Sequence, residues 1–350
     1  MSKRTVFQLL LAFVMIVAIL FFAGGLSAQG NSEDAFQRVK EVQERHTEVL
    51  MAKKGVVGTA IGHGQVGQPV MLVLLEHGAV PDIPEELEGV PVRPLVTGKI
   101  YALKPPVDKP GKPPKDEEPT DPTARFERPV PIGVSTGHPN ITAGTIGCRV
   151  TIGSETYALS NNHVYADEGH ALIGDHVLQP GDYDGGALPD DYLGSLADYV
   201  DINFSENASN VVDAAIALCL PTNLGNSTPS DGYGTPTSDT LDAYVGMAVK
   251  KYGRTTGQTK SSVYAVNATL NVGYDSGTAR FVNQIVIGPR SFSSGGDSGS
   301  LIVCDGRGRN KADDRRPVGL LFAGTFDGQW TMANPIDEVL EAFGASIDGE

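Results

Sequence analysis

The stretch Ser293-Ser-Gly-Gly-Asp-Ser298-Gly-Ser300-Leu-Ile-Val303 is a Gly-rich turn that runs straight into an apolar strand. A serine hydroxyl is a poor nucleophile until a base takes its proton, and the oxyanion of an acyl intermediate needs fixed donors. Glycine answers the second need. With no Cβ at Gly296 or Gly299, the backbone can reverse sharply and bring the Gly296 and Ser298 amides onto one point. Alone, the segment also reads as a polar hairpin, so the chain must supply a base elsewhere.

Working outward, Tyr157-Ala-Leu-Ser-Asn-Asn-His163-Val-Tyr-Ala places a histidine where an apolar strand gives way to a polar turn. Of the seven histidines, His46 falls on a predicted helix, His63 and His77 lie in the N-terminal region, and His138, His170 and His176 lie in loops. An imidazole that serves as base needs a carboxylate to orient it. Val211-Val-Asp213-Ala-Ala-Ile-Ala-Leu-Cys219 offers one in an otherwise apolar run, where an unpaired carboxylate would be costly and a partner is required. Asp198 and Asp201 are alternatives with polar, solvated flanks.

His163, Asp213 and Ser298 follow one another at intervals of 50 and 85 residues. In that order, with the motifs Ser-x-x-His, Asp-Ala-Ala and Gly-Asp-Ser-Gly, the chain resembles the trypsin-like, chymotrypsin-fold serine peptidases of the bacterial secreted type. The resemblance covers about residues 132–343. It implies a double β-barrel with the triad in the cleft between barrels, His163 and Asp213 on one and Ser298 on the other. It also implies an oxyanion hole from the Gly296 and Ser298 amides. Lys250-Lys-Tyr-Gly-Arg254-Thr-Thr-Gly257 is similar to a stretch in which an internal arginine pairs with the aspartate before the nucleophile, so Arg254 and Asp297 are expected to support the oxyanion loop as an ion pair. The substrate-binding strand would be Leu320-Leu-Phe322-Ala-Gly324-Thr, with Gly324 kept. Phe292 stands where trypsins carry an aspartate, which implies an apolar or small side chain at the cleaved position.

The 350 residues carry 27 Lys plus Arg against 42 Asp plus Glu, a formal net charge of −15. An acidic surface repels phosphate polyanions, so nucleic acid is not expected as a partner and partners should be neutral or basic; the resemblance implies a protein or peptide substrate. Gly contributes 42 residues, which favours short strands joined by tight turns. The three Cys, without a CxxC, indicate neither a disulfide framework nor structural zinc, and sit in apolar runs as small buried hydrophobes. Asp182-Tyr-Asp184 and the loop from Asp305 to Asp314 hold candidate Ca²⁺ oxygens without EF-hand spacing, and read as solvated loops. Neither a metal nor an organic cofactor is expected.

Residues 1–28 combine Lys3-Arg4, an uncharged apolar run from about Val6 to Ala23, and Ser27-Ala28, the anatomy of an export signal. The run approaches the span of a bilayer, so an uncleaved membrane anchor is the alternative. The folded part would then be secreted or periplasmic, or anchored and facing outward. Residues 32–104 read as a small α+β module, either a propeptide or a permanent targeting module, with one amphipathic helix from Ser32 to Met51 (Phe36, Val39, Val42, His46, and Val49 or Leu50) and three β-rich runs. Residues 105–131 hold nine prolines and read as an extended spacer, and residues 132–350 read as many short strands closed by one helix at Pro335 to Phe343. The reading that results is an exported serine endopeptidase. Its rivals are a catalytically silent binding protein on the same fold and an esterase with the same triad.

Overall fold

The computed structural model describes residues 33–104, 120–206 and 208–350; the leader at 1–28 and the spacer from 105 to 119 lie outside the described residues. The first element is helix α1 (residues 33–51), which buries Val39, Val42, Leu50 and Met51, while Val49 points to solvent at 66% exposure. Strands β1 (Val56–His63), β2 (Pro69–Leu75), β3 (Glu86–Leu87), β4 (Val90–Val96) and β5 (Ile100–Ala102) follow. The unbroken apolar run of β2 is explained by cover on both faces. Met71, Val73 and Leu75 join the cluster under α1, and Val70, Leu72 and Leu74 join a second cluster with Phe281, Phe322 and Trp330.

Short strands β6 (Ser135–Thr136) and β7 (Gly144–Thr145) pair with each other and lead into β8 (Cys148–Ile152) and β9 (Glu155–Ser160). The two-residue turn between β8 and β9 carries Gly153 at φ +61°, the conformation that a tight hairpin asks for. After helix α2 (Asn162–Tyr165), β10 (His176–Leu178), β11 (Tyr192–Tyr199) and β12 (Ala215–Cys219) complete a six-stranded sheet with β19 (Ser346–Ile347), the last strand of the chain, in the order β10-β11-β12-β9-β8-β19.

The remaining strands are β13 (Ala248–Gly253), β14 (Gly257–Tyr274), β15 (Gly277–Ile287), β16 (Leu301–Cys304), β17 (Pro317–Thr325) and β18 (Thr331–Pro335), then helix α3 (Ile336–Phe343) and β19 (Ser346–Ile347). The chain is mostly β, built on an eleven-stranded, a six-stranded and a two-stranded sheet, with the C-terminal helix where the pattern placed it. The β14–β15 hairpin is far longer than the runs 262–266 and 285–287 that stand out as apolar, because Ala268, Leu270 and Val272 alternate with polar neighbours and bury one face only.

The N-terminal strands are continuous with the larger sheet: β1 pairs antiparallel with β14, and the eleven-stranded sheet runs β13-β16-β17-β18-β15-β14-β1-β2-β4-β3, with β5 off this path and paired to β14 and β17. Gln43 on α1 fastens this junction, donating to Thr59 Oγ1 at 3.1 Å and to the Asn267 carbonyl at 2.9 Å. The exposed spacer expected through residue 131 ends earlier. Arg125 is ion-paired with the buried Asp191 at 2.5 Å, and Val130 is fully buried with its amide on the Asn223 carbonyl. Among the described residues no helix is long and apolar enough to cross a membrane.

Candidate active site

His163 sits on the single turn of α2, just past the end of β9, and Asp213 lies two residues before β12, which pairs with β9. Both side chains are buried, at 2% and 0% exposure, and Asp213 Oδ2 stands 2.6 Å from His163 Nδ1. The His163 amide donates to the other carboxylate oxygen at 3.2 Å, so ring and backbone of one residue grip one carboxylate. The Asn334 side chain accepts from the Asp213 amide at 3.0 Å, and Asn161 donates to the Asp213 carbonyl at 2.7 Å. Asp198 and Asp201, the alternatives, are exposed.

A further partner is the Tyr274 hydroxyl, which donates to Asp213 Oδ2 at 2.8 Å from the end of β14. Burial first, and the Asp213 charge second, push the Tyr274 phenol well above its ordinary value, so it is a neutral donor. Sequence reading misses Tyr274 because its strand continues through polar residues. The period-two alternation of Ala268, Leu270 and Val272 was the available signal.

Ser298 lies in the turn before β16, with Gly296 at φ +95° and Gly299 at φ +91°. A Cβ at Gly299 would stand 2.2 Å from Ser160 Oγ and 2.3 Å from the Thr145 carbonyl, which is why the turn needs glycine there. Ser298 is fully buried, and its hydroxyl donates to the carbonyls of Leu103 at 3.1 Å and Phe322 at 3.2 Å. Among the described residues His163 Nε2 has no hydrogen-bond partner. Of the two amides expected to form the oxyanion hole, that of Gly296 donates to the Leu103 carbonyl at 3.0 Å.

The expected ion pair between Arg254 and Asp297 is not made. Asp297 is fully buried and pairs with Lys251 at 3.3 Å, while Arg254 lays its guanidinium on both oxygens of Asp184, with Nε to Oδ2 at 2.8 Å. Asp297 also accepts from the Thr255 and Thr256 amides, the Thr256 hydroxyl and the Ser294 amide, at 2.8, 3.2, 2.7 and 3.0 Å. Burial pulls the Lys251 ammonium below its ordinary value and Asp297 opposes this. Arg254 still touches the nucleophile turn indirectly, since its amide donates to Thr145 Oγ1 and that hydroxyl donates to the Gly296 carbonyl, each at 3.0 Å. Asp184 is therefore not in a solvated loop: its side chain is 6% exposed and is taken up by Arg254 and Ser135. Asp305 is likewise buried and held by Lys260, Arg307 and Lys250.

Phe292 is buried in an apolar cluster with Ile302, Val249 and Leu103. The Phe322 ring turns away into the core against Phe281, at 4.8 Å, and offers its carbonyl to the cleft instead. Gly324 lies where a Cβ would approach the Leu103 methyls to 3.1 and 3.3 Å. Cys148, Cys219 and Cys304 are free and buried, and burial raises all three thiols, that of Cys219 to about 12.

The family model that describes a Nal1 C-terminal domain matches residues 236–348. No curated protein matches the chain. Among solved structures, the chain is similar to Thermobifida fusca Protease A, with 19% identity, a TM-score of 0.45, and 63% of this chain and 98% of that one covered. It is similar to Nocardiopsis protease, with 16% identity, a TM-score of 0.42, and 62% and 97% covered. It is also similar to the Cellulomonas bogoriensis chymotrypsin, with 19% identity, a TM-score of 0.41, and 63% and 99% covered.

Proposed function

We propose that the chain is an exported serine endopeptidase that works through an acyl-enzyme. The observation that supports this most is the buried 2.6 Å contact between His163 Nδ1 and Asp213, in a chain whose glycine-bracketed Ser298 turn already holds a peptide carbonyl on the Gly296 amide. In this reading Ser298 Oγ attacks the scissile carbonyl carbon and His163 Nε2 takes the hydroxyl proton. Asp213 holds the Nδ1–H tautomer and stabilises the imidazolium that forms. The proton passes to the leaving amine, water hydrolyses the acyl-enzyme, and His163 acts as base again. The Gly296 and Ser298 amides carry the oxyanion, and Phe292 with Gly324 shape an apolar recess for the side chain before the cleaved bond. The leader at 1–28 supports action outside the cytoplasm.

Labelling by a fluorophosphonate that disappears in Ser298→Ala, together with digestion of casein, tests this reading. Hydrolysis of small esters without any digestion of casein or peptides would favour an esterase. The unpartnered Nε2 of His163 favours a second reading, a peptide-binding protein that does not turn over. Absence of both labelling and hydrolysis would select it.

A further inference from the structure

The cleft is already filled by the chain itself. Strand β5 pairs antiparallel with β17, Ala102 opposite Ala323, Tyr101 opposite Gly324 and Ile100 opposite Thr325, on the strand that sequence reading assigns to substrate. The Leu103 amide continues the ladder to the Phe322 carbonyl at 3.3 Å. The Leu103 carbonyl receives the Gly296 amide at 3.0 Å and lies 3.1 Å from Ser298 Oγ. Its side chain enters the cluster of Phe292 and Ile302 beside Gly324. The Lys104 amide then bends back to the Ala102 carbonyl at 3.1 Å, turning the chain out of the sheet at the Leu103–Lys104 bond.

Beyond that bond the site is acidic. Lys104 Nζ reaches Glu168 at 2.9 Å and Asp275 at 2.6 Å, and Glu168 is held in place by the Ser276 amide at 2.9 Å. Leu103, Lys104, His163 and Asp167 all line one cavity of about 140 Å³. The imidazole thus lines the same cavity as Leu103 and Lys104, and the serine hydroxyl contacts the Leu103 carbonyl of the bond between them.

We propose, resting on the endopeptidase reading above, that Ile100–Lys104 is the protein's own first substrate. The site cuts Leu103–Lys104 and selects an aliphatic residue before the bond and a basic residue after it. The hydroxyl must first rotate from the Phe322 carbonyl toward His163 Nε2. Ser298 Oγ then bonds to the Leu103 carbonyl carbon, and the bond to the Lys104 nitrogen breaks. The serine proton leaves through His163 with the new Lys104 amine, and water releases Leu103 as a carboxylate. Until that happens β5 excludes other substrates, which accounts for a nucleophile with no solvent exposure.

The experiment follows the full chain by mass spectrometry under denaturing conditions, since the β1–β14 pairing would hold the two pieces together in native buffer. Wild-type protein should yield a fragment that begins at Lys104, and Ser298→Ala should yield none. Leu103→Asp should slow the cut about a hundredfold, the range in which an apolar recess discriminates side chains. Lys104→Glu should slow it about tenfold or more, because it sets like charges together. The added peptide Gly-Lys-Ile-Tyr-Ala-Leu-Lys-Pro-Pro should be cut at the same bond by the processed enzyme. A wild-type chain that stays whole, or is cut elsewhere, while digesting casein overturns the proposal and leaves the endopeptidase reading standing. Equal rates for wild type and Lys104→Glu overturn the basic subsite. A chain that neither cuts itself, digests casein nor takes the fluorophosphonate overturns both readings.

Discussion

Asp213 Oδ2, fully buried, is shared by two donors, His163 Nδ1 at 2.6 Å and the Tyr274 hydroxyl at 2.8 Å. The tyrosine fixes the carboxylate so that its second oxygen is free to take the His163 amide. Two substitutions separate these roles. Asp213→Asn should lower kcat on a peptide substrate by about 10⁴ while the fold persists, because the imidazole loses its tautomer. Tyr274→Phe should lower kcat about tenfold with KM unchanged, and move the acid limb of the pH–rate profile. An unchanged pH profile in Tyr274→Phe would reduce the tyrosine to packing.

Lys251 and Asp297 form a fully buried pair directly behind the nucleophile. Removing one partner strands the other charge, at a cost of roughly 3–5 kcal/mol. Lys251→Met should therefore lower the urea midpoint sharply and abolish fluorophosphonate labelling. A double variant, Lys251→Met with Asp297→Asn, should recover part of the stability. Additive losses in that cycle would show that the two charges do not interact.

Gly299 is a sharp test of the nucleophile turn. Gly299→Ala meets both an unfavourable φ of +91° and a 2.2 Å approach to Ser160 Oγ. The left-handed conformation alone costs of order 1–3 kcal/mol. We expect loss of labelling with the overall circular dichroism spectrum kept. Normal acylation of this variant would mean that the turn is far more plastic than its packing implies.

Acid should loosen the docked strand late. Burial works against ionised Glu168, but its bonds from Ser276 and Lys104 outweigh that and bring its carboxyl from 4.5 down to about 2. A carboxyl depressed in the folded state adds stability above its unfolded value and loses it as pH falls through the folded one. Stability should thus fall between pH 4.5 and about 2, and Glu168→Gln should flatten that segment of the curve. Identical acid titrations of thermal midpoint for the two proteins would contradict the assignment.

Cysteine reactivity gives a fifth check. Cys148 is fully buried and its thiol is raised by burial alone, so it should take maleimide only in denaturant. Mass shifts in native buffer at Cys148 would show that the first sheet opens.

The short-range chemistry of this chain is legible without coordinates. The glycine turn around Ser298, the strand-to-turn step at His163 and the lone carboxylate at Asp213 each announce themselves, because apolar periodicity and turn residues are local properties. Partner choice is not local. Lys251 and Arg254 stand three positions apart, an odd offset that sends side chains of an extended segment to opposite faces, so only the packed sheets decide that Lys251 meets Asp297 and Arg254 meets Asp184. Tyr274 reaches Asp213 across 61 residues for the same reason. The occupancy of the cleft by Ile100–Lys104 is tertiary as well. Nothing in that short apolar run distinguishes a strand that serves the core from one that serves the active site until β1 docks on β14 and delivers it to β17.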